Sequence, residues 1–370
     1  MNEIQLTPDP KLATVLENIK KSIAEIDDIR ELKELHDVAL GFEKSWEAHY
    51  RSSGFGRDQM LLGWEVKIRS ERRMGELLKE MEHLSQGGDR KSSNAMKLDS
   101  LDDLCISKSQ SFRYQLLTIL DDFEKEISEI VNSNNSEIEI RLTSPRKKAE
   151  QIWKELQRKK LAKEGENKTI PDGYELHNTS FISAPIEKDS IDLILTDPPY
   201  PKEYLPLWRE LGKFARLYLK PGKFLIAYTG LAYLPEVINM LSENMDYYWS
   251  FCMLFTSNQL VHKTNIITEW KPILIFQKPP FKKLENTISD LLRGGQREKD
   301  LHDWQQAEWH AKEIIERFTV ENEVVADPMM GAGTFPYVAN KLKRKAIGIE
   351  IDKDTFNIVK ERIYGNTKRK

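Results

Sequence analysis

Cysteine is almost missing from this chain. Of 370 residues only Cys105 and Cys252 carry a thiol, and they stand far apart without metal-ligand spacing. A disulfide framework and a zinc site are thereby excluded as organising features, and a reduced, cytoplasmic setting fits. No run approaches the ~20 apolar residues of a membrane span. The opening residues, Met1-Asn2-Glu3-Ile4-Gln5, lack the charged-then-apolar order of an export signal. Net charge is small as well: 31% of residues are charged, yet they sum to −3. Nucleic-acid binding therefore has to be argued from local patches rather than from overall charge. Repeats and low-complexity tails are absent too. What remains is 39% hydrophobic content, enough for a real core, in a length that suits two or three domains.

The chain changes character near residue 168. From about 8 to 165 it is polar, charged and helix-periodic, with Leu61, Leu62, Val66, Ile68, Met74, Leu77, Leu78 and Met81 recurring at helical spacing. Loop composition interrupts it at 86–94 and again at 131–136. Pro145 then opens a basic helix over 146–163. After Ile170-Pro171-Asp172-Gly173, short apolar strands alternate with helices. Strands are expected at 191–195, 223–228, 247–255, 272–277, 323–326 and 346–351, and helices at 204–218, 234–242, 307–318, 335–342 and 354–363. Such alternation predicts a mostly parallel, doubly wound α/β sheet covered on both faces, a Rossmann-like arrangement preceded by a mainly α-helical region. The expected divisions are 1–140, helical; 141–170, a basic linker helix; and 171–370, the α/β domain.

Two places in the α/β half carry chemistry. Asp197-Pro198-Pro199-Tyr200 follows the apolar run 191–195, so an acid and two prolines form a stiff lip at the carboxyl end of a buried strand. In an open α/β sheet, ligands bind at that edge. Fixed proline φ angles set the direction of nearby carbonyls. An acid, a free carbonyl and an aromatic face side by side can hold a flat, amine-bearing base; the bland alternative is a Pro-Pro turn with a capping acid. The second place is Asp327-Pro328-Met329-Met330-Gly331-Ala332-Gly333-Thr334, a strand running into a glycine turn and a helix. Its glycines allow close backbone approach, and the helix start supplies N–H groups. Glu350, at the tip of the next strand, is placed to accept hydrogen bonds from both ribose hydroxyls of an adenosine-containing cofactor. The loop lacks the full Gly-x-Gly-x-x-Gly pattern, and no second site suits hydride transfer, which argues against a nicotinamide.

Together, the two motifs resemble those of amino-methyltransferases that use S-adenosylmethionine and act on exocyclic nitrogens of DNA bases. The resemblance covers about 173–364. It implies that Asp197-Pro198-Pro199-Tyr200 is the catalytic tetrapeptide and that Asp327 to Thr334, with Pro328, Met329, Gly331 and Gly333, is the methionine-binding loop. The catalytic motif precedes the cofactor motif, the permuted order of the β class. The Asp form of the tetrapeptide is associated mainly with adenine N6, and cytosine-N4 enzymes usually carry Ser there. Three departures stand out. Met329 and Met330 occupy a position often held by Phe, where a thioether can still pack on a purine. Asn178 replaces an acid near the cofactor adenine and can still donate and accept. The segment before the cofactor strand, His302-Asp303-Trp304-Gln305-Gln306, is unconventional, and the resemblance assigns Gln305 to the methionine end.

In the mechanism that resemblance and chemistry both imply, Asp197 and the Pro198 carbonyl accept the two N6–H bonds of an adenine flipped from double-stranded DNA, and Tyr200 stacks on it. Pro199 stiffens the lip. No metal or covalent intermediate is required. Cytosine-N4 methylation, RNA adenine methylation and a non-catalytic DNA-binding accessory subunit are the alternatives. In the amino half, residues 98–115 resemble a helix-turn-helix whose second helix is capped by Ser107, with Lys108, Ser109, Gln110 and Arg113 able to reach phosphates or bases. A structural hairpin is the competing reading. The basic helix over 146–163 reads either as a phosphate-tracking element or as a solvated linker. Glu65-Val66-Lys67 resembles part of a nuclease signature but sits in a helical pattern and reads as structural. By resemblance, the expected partners are DNA, a second copy of the chain, and a cognate endonuclease encoded elsewhere. The setting would be a restriction-modification system or a phage.

Overall fold

The computed structural model describes residues 18–19, 21–53, 56–87, 100–131, 144–261, 265–292 and 308–367. Gln305 and its neighbours at 302–306, residues 88–94, 98–99 and 132–136, and the 368–370 tail lie outside the described residues. The chain divides into two compact units, Met1–Gln157 and Arg158–Lys370.

The first unit is helical. Among the described residues it contains α1 (Ile29–Ser53), α2 (Arg57–Gly87), α3 (Lys108–Leu117) and α4 (Phe123–Val131), then the start of α5 (Ser144–Glu166), which runs on into the second unit. The apolar positions read from periodicity do turn inward: Val66, Met74, Leu77 and Leu78 of α2 pack with Leu32, Ala39 and Tyr114. Ile68 and Trp64 enter a second cluster with Leu117, Phe123 and Ile127. Gly75 lies where the α3 backbone comes closest, because a Cβ there would strike the Tyr114 carbonyl.

Buried charges in this unit are met within it. Lys67 of α2 pairs with Glu43 of α1. Glu71 accepts from Arg146 at 2.5 Å and faces His36 Nε2 at 3.2 Å. Burial alone would raise the Glu71 carboxyl, but the His36 and Arg146 contacts win and hold it below the ordinary carboxylate range. Glu65 pairs with Arg69 at 2.9 Å, so the Glu65-Val66-Lys67 triplet is a helix-packing feature.

The predicted helix-turn-helix is only half present. Residues 101–105 form a hydrogen-bonded turn rather than a helix, whereas α3 starts with Ser107 as N-cap in a reciprocal capping box with Gln110. That box engages the Gln110 side-chain oxygen, so its local role is to start the helix. Lys108, Ser109 and Arg113 are exposed. The cations of α5 meet acids of the protein at several positions: Lys148 pairs with Glu126, Lys154 with Glu150, and Arg158 with Asp352 at 2.8 Å. Those three cations stay exposed while paired.

The second unit is built on an eight-stranded sheet in the order β1-β8-β7-β2-β3-β5-β4-β6. The strands are β1 (Tyr174–His177), β2 (Ile191–Thr196), β3 (Leu219–Tyr228), β4 (Asp246–Val261), β5 (Ile266–Gln277), β6 (Leu291–Leu292), β7 (Val324–Asp327) and β8 (Lys345–Ile349). From β1 through β3 every pairing is parallel; β5 pairs antiparallel to both β3 and β4. Strand β2 is buried along its whole length, as a central strand covered on both faces must be. Helices α6 (Leu205–Tyr218) and α7 (Leu234–Ser242) cover one face through Leu211, Phe214, Val237 and Leu241. The other face packs against α8 (Glu308–Phe318) and α9 (Thr334–Lys341) through Ala311, Ile314, Ile315, Phe335 and Val338. The last helix, α10 (Lys353–Thr367), seals the β1 side through Val359 and Ile363. Several elements exceed the expectation: β3 begins four residues before 223, β4 runs six past 255, β5 begins six before 272, and the short β6 lies in a stretch that reads as polar loop.

Candidate active site

Because β2, β7 and β8 are parallel neighbours or near neighbours, their carboxyl ends fall on one edge of the sheet. Thr196, the last residue of β2, donates its hydroxyl to Asp327 Oδ1 at 2.7 Å, tying the ends of β2 and β7 together. The Met329 N–H donates to the same oxygen at 3.1 Å. Asp327 is fully buried, and its carboxyl is pushed up to about 7. Burial is the main cause; the two hydrogen bonds oppose it, and the charges of Asp197 and Glu350 reinforce it. Asp327 therefore anchors the loop from within.

The glycine turn follows. Gly331 (φ +46°) and Gly333 (φ +73°) both take left-handed backbone. At Gly333 a Cβ would stand 2.7 Å from Val359, whereas at Gly331 it would enter open space. The Gly331 N–H donates to Glu350 Oε2 at 3.1 Å, and the Asp352 N–H donates to Oε1 at 2.9 Å. Asn178, just past β1, donates to the Glu350 carbonyl at 2.8 Å and so lies beside it. The Thr334 hydroxyl accepts from Arg362 at 3.1 Å, and Arg362 also donates to the Ala332 carbonyl at 2.6 Å. The two methionines part ways. Met330 is buried among Leu176, Val359 and Ile363, and only Met329 stays half-exposed. A role for Met330 on a purine face is replaced by one in the core.

At the β2 lip, Pro198 is buried and Pro199 half-buried, while Tyr200 keeps 36% of its surface exposed. The Tyr200 hydroxyl donates to Asp197 Oδ1. Desolvation of that hydroxyl end, and then the Asp197 charge, push the phenol well above its ordinary range. A cleft beside Tyr200 is lined by Trp208, Thr229, Gly230 and Tyr233.

Three further residues of this site were not singled out from sequence. Lys271 of β5 donates to Asp197 Oδ1 at 3.2 Å, with its ammonium 4.5 Å from the Tyr200 ring centre and 5.0 Å from that of Tyr228. Burial pulls this lysine below its usual range, and the Asp197 carboxylate opposes the shift. Tyr228, the last residue of β3, is fully buried and stacks on Phe335, yet its hydroxyl has no hydrogen-bond partner among the described residues. On α8, His310 likewise has a buried Nε2 without a partner there, and burial and the Lys271 charge both lower its pKa. The available signal was a lysine set directly before the apolar run Pro272-Ile273-Leu274-Ile275-Phe276. Strand alternation continued backwards puts it on the face shared by Ile273 and Ile275.

The α/β half of the chain also resembles known proteins. Residues 191–361, just under half of the chain, match the DNA methylase family of N6 and N4 methyltransferases. The chain is 25% identical over 219 residues to the type II methyltransferase M.HpaI of Haemophilus parainfluenzae, spanning 48% of this chain and 69% of that one. A shorter stretch of 62 residues is 40% identical to the type II methyltransferase M2.LlaDCHI of Lactococcus lactis subsp. cremoris, covering 17% of this chain and 23% of that one. Among solved structures, M1.HpyAVI bound to S-adenosylmethionine is 19% identical, with a TM-score of 0.42, over 51% of this chain and 99% of that one. The cytosine-N4-specific PvuII DNA methyltransferase is likewise 19% identical, with a TM-score of 0.43, over 55% of this chain and 96% of that one.

The α/β unit thus carries a match to a DNA methylase family, and S-adenosylmethionine is the cofactor that goes with it. The sheet edge suits that cofactor. Open space lies in front of the Gly331 backbone, where a ligand can approach the loop closely.

Proposed function

We propose that this chain is a permuted, β-class methyltransferase that transfers a methyl group to N6 of an adenine flipped out of double-stranded DNA. The observation that carries the proposal is the placement of Asp197-Pro198-Pro199-Tyr200 at the end of the buried central strand, two sheet positions from the β8 end that carries Glu350. Bound S-adenosylmethionine supplies an electrophilic sulfonium methyl. The Gly331–Thr334 loop with Asp327, Pro328 and Met329 would hold its methionine end, Glu350 its ribose, and Asn178 the neighbourhood of its adenine. Gln305 retains the methionine-end assignment that resemblance supplies.

An aromatic amine is a poor nucleophile because its lone pair is delocalised into the ring. Asp197 and the Pro198 carbonyl accept its two N–H groups and favour a tetrahedral nitrogen, whose growing positive charge they then stabilise. Tyr200, 36% exposed at the lip, stacks on the base. Transfer of the sulfonium methyl would leave the nitrogen with one proton to lose, which would pass to solvent by way of the Asp197 carboxylate that already accepts its N–H. The Asp at the head of the tetrapeptide favours adenine over cytosine N4. Nucleoside mass spectrometry of DNA from methylation-deficient cells expressing the chain tests this. N6-methyladenine with the wild type, and none with Asp197→Ala, is the expected result; N4-methylcytosine would move the target base.

We further propose that target choice lies partly in the amino half, where Lys108, Ser109 and Arg113 form an exposed polar face on α3. Lys108→Ala/Arg113→Ala should weaken DNA binding and flatten sequence preference. Unchanged preference would refute that role. Pairing with a second copy, and a separate endonuclease reading the same sites, follow from the same resemblance; sedimentation of the purified chain tests the first.

A further inference from the structure

A lysine and an acid meet at the β2 lip in an arrangement that methyl transfer to an amine does not by itself require. Asp197 Oδ1 and Lys271 Nζ stand 3.2 Å apart, a hydrogen-bond acceptor beside a donor. Lys271 is anchored on β5, its side chain only 11% exposed, between the rings of Tyr200 and Tyr228. The Tyr228 hydroxyl and His310 Nε2 are buried close by, with no partner among the described residues. Buried polar atoms without partners are rare, and a cluster of them marks a place where a ligand or water completes the hydrogen bonding. A surface pair would be mobile and screened. This one is held on a strand among aromatic walls and so has a defined direction.

Resting on the functional reading above, we propose that Lys271 is a specificity-determining residue that donates a hydrogen bond to the ring nitrogen next to the amine-bearing carbon of the flipped base. Adenine and cytosine both present an amine beside an unprotonated ring nitrogen, N1 in one and N3 in the other. An Asp197 acceptor beside a Lys271 donor is complementary to that edge. Guanine and thymine present the reverse, an oxo group beside a ring N–H, which would set oxygen against carboxylate and N–H against ammonium. A lysine carries three donor hydrogens, so one bond to Asp197 leaves capacity for the base. A buried site built to hydrogen-bond one pattern rejects the other strongly, because its polar groups would be left unpaired. The same contact occupies the ring lone pair, the more nucleophilic atom of adenine, and so directs the methyl to the exocyclic nitrogen.

The test uses the full chain and a synthetic duplex carrying its mapped methylation site. The target adenine is replaced by 1-deazaadenine, which keeps the amine and exchanges N1 for C–H. Single-turnover rates are compared for the wild type, Lys271→Met and Lys271→Arg, with S-adenosylmethionine binding as the folding control. The wild type should slow at least 10-fold on the deaza duplex. Lys271→Met should be slow on both duplexes with no further loss from the deaza change, and Lys271→Arg should recover part of the discrimination. Equal deaza penalties in the wild type and Lys271→Met, or a wild type that tolerates the deaza base, would overturn the inference. If Lys271→Met fails the binding control, the wild-type and Lys271→Arg comparison decides alone. A wild type that methylates no DNA would remove the functional reading itself, and this inference with it.

Discussion

Each unit contains a buried lysine paired with an acid, and the two pairs differ in an instructive way. Lys67–Glu43 joins two helices, and both side chains are nearly enclosed, at 10% and 9% exposure. In Lys271–Asp197 the lysine is as enclosed, at 11%, but the acid keeps 25% of its surface, and near the lysine the Tyr228 hydroxyl and His310 Nε2 have no partner among the described residues. The first pair is closed on itself and serves packing. The second is open on one side, at the carboxyl edge of a sheet where ligands bind. Charge and burial alone do not separate the two; what does is whether the surrounding polar atoms already have partners.

The largest effect should come from opening the second pair at its acid. Asp197→Ala should reduce methyl transfer by at least ~100-fold, the scale of losing a preorganised charge stabiliser, while S-adenosylmethionine affinity changes only a few-fold. Radiolabelled transfer and calorimetry measure the two, and equal losses in both would erase the division between lip and loop. Breaking the closed pair should do the converse. Lys67→Met leaves Glu43 buried without its partner and should cost roughly 3–5 kcal/mol of stability in a denaturant titration. Cofactor affinity per folded molecule should be unchanged, and a variant as stable as wild type would show that Lys67–Glu43 is not structural.

A pH titration sharpens the contrast further. Asp327 has an ordinary value of 3.8 that is raised to about 7 in the folded chain. Below the ordinary value both folded and unfolded chains hold the proton. Between the two values the folded chain keeps a proton that the unfolded chain releases, so stability falls as pH rises and levels off above 7. The drop should be at most ~4 kcal/mol, and Asp327→Asn should flatten it. An unchanged slope would show that the carboxyl is already ionised in the folded state. Gly331→Ala places a Cβ in the open space before the loop and should weaken cofactor binding about 10-fold, with a stability loss of only ~1 kcal/mol from the left-handed backbone. The smallest effect is expected for Lys108→Ala/Arg113→Ala, a few-fold in DNA affinity.

Much of the fold was legible because its signals are local. The run 191–195, the glycine turn at 331–333 and the apolar spacing in α2 each announce an element without reference to any other part of the chain. Ser107 announced the start of α3 for the same reason, whereas Gln110, expected at DNA, closes the capping box with it. The supposed first helix of the helix-turn-helix failed because a polar run such as Asp99-Ser100-Leu101-Asp102-Asp103 suits a turn as well as a helix; Asp103 accepts from the Ser100 backbone and hydroxyl and stabilises the turn. Met330 could equally have faced a ligand or the core, and only the position of α10 decided for the core.

Sequence by itself marked the strands at 191–195, 323–326 and 346–351 to within two residues, and singled out the tetrapeptide and the loop at which chemistry is expected. Those properties follow from residue order along one segment. Tertiary structure alone decided that Lys271 meets Asp197, with Tyr228 beside the lysine and His310 within reach of its charge. Lys271, Tyr228 and His310 come from β5, β3 and α8, and their placement depends on β5 entering antiparallel beside β3 and on α8 covering that face. No spacing along the chain encodes such a meeting, because hydrogen-bonded strand order is settled by burial and pairing across the whole sheet.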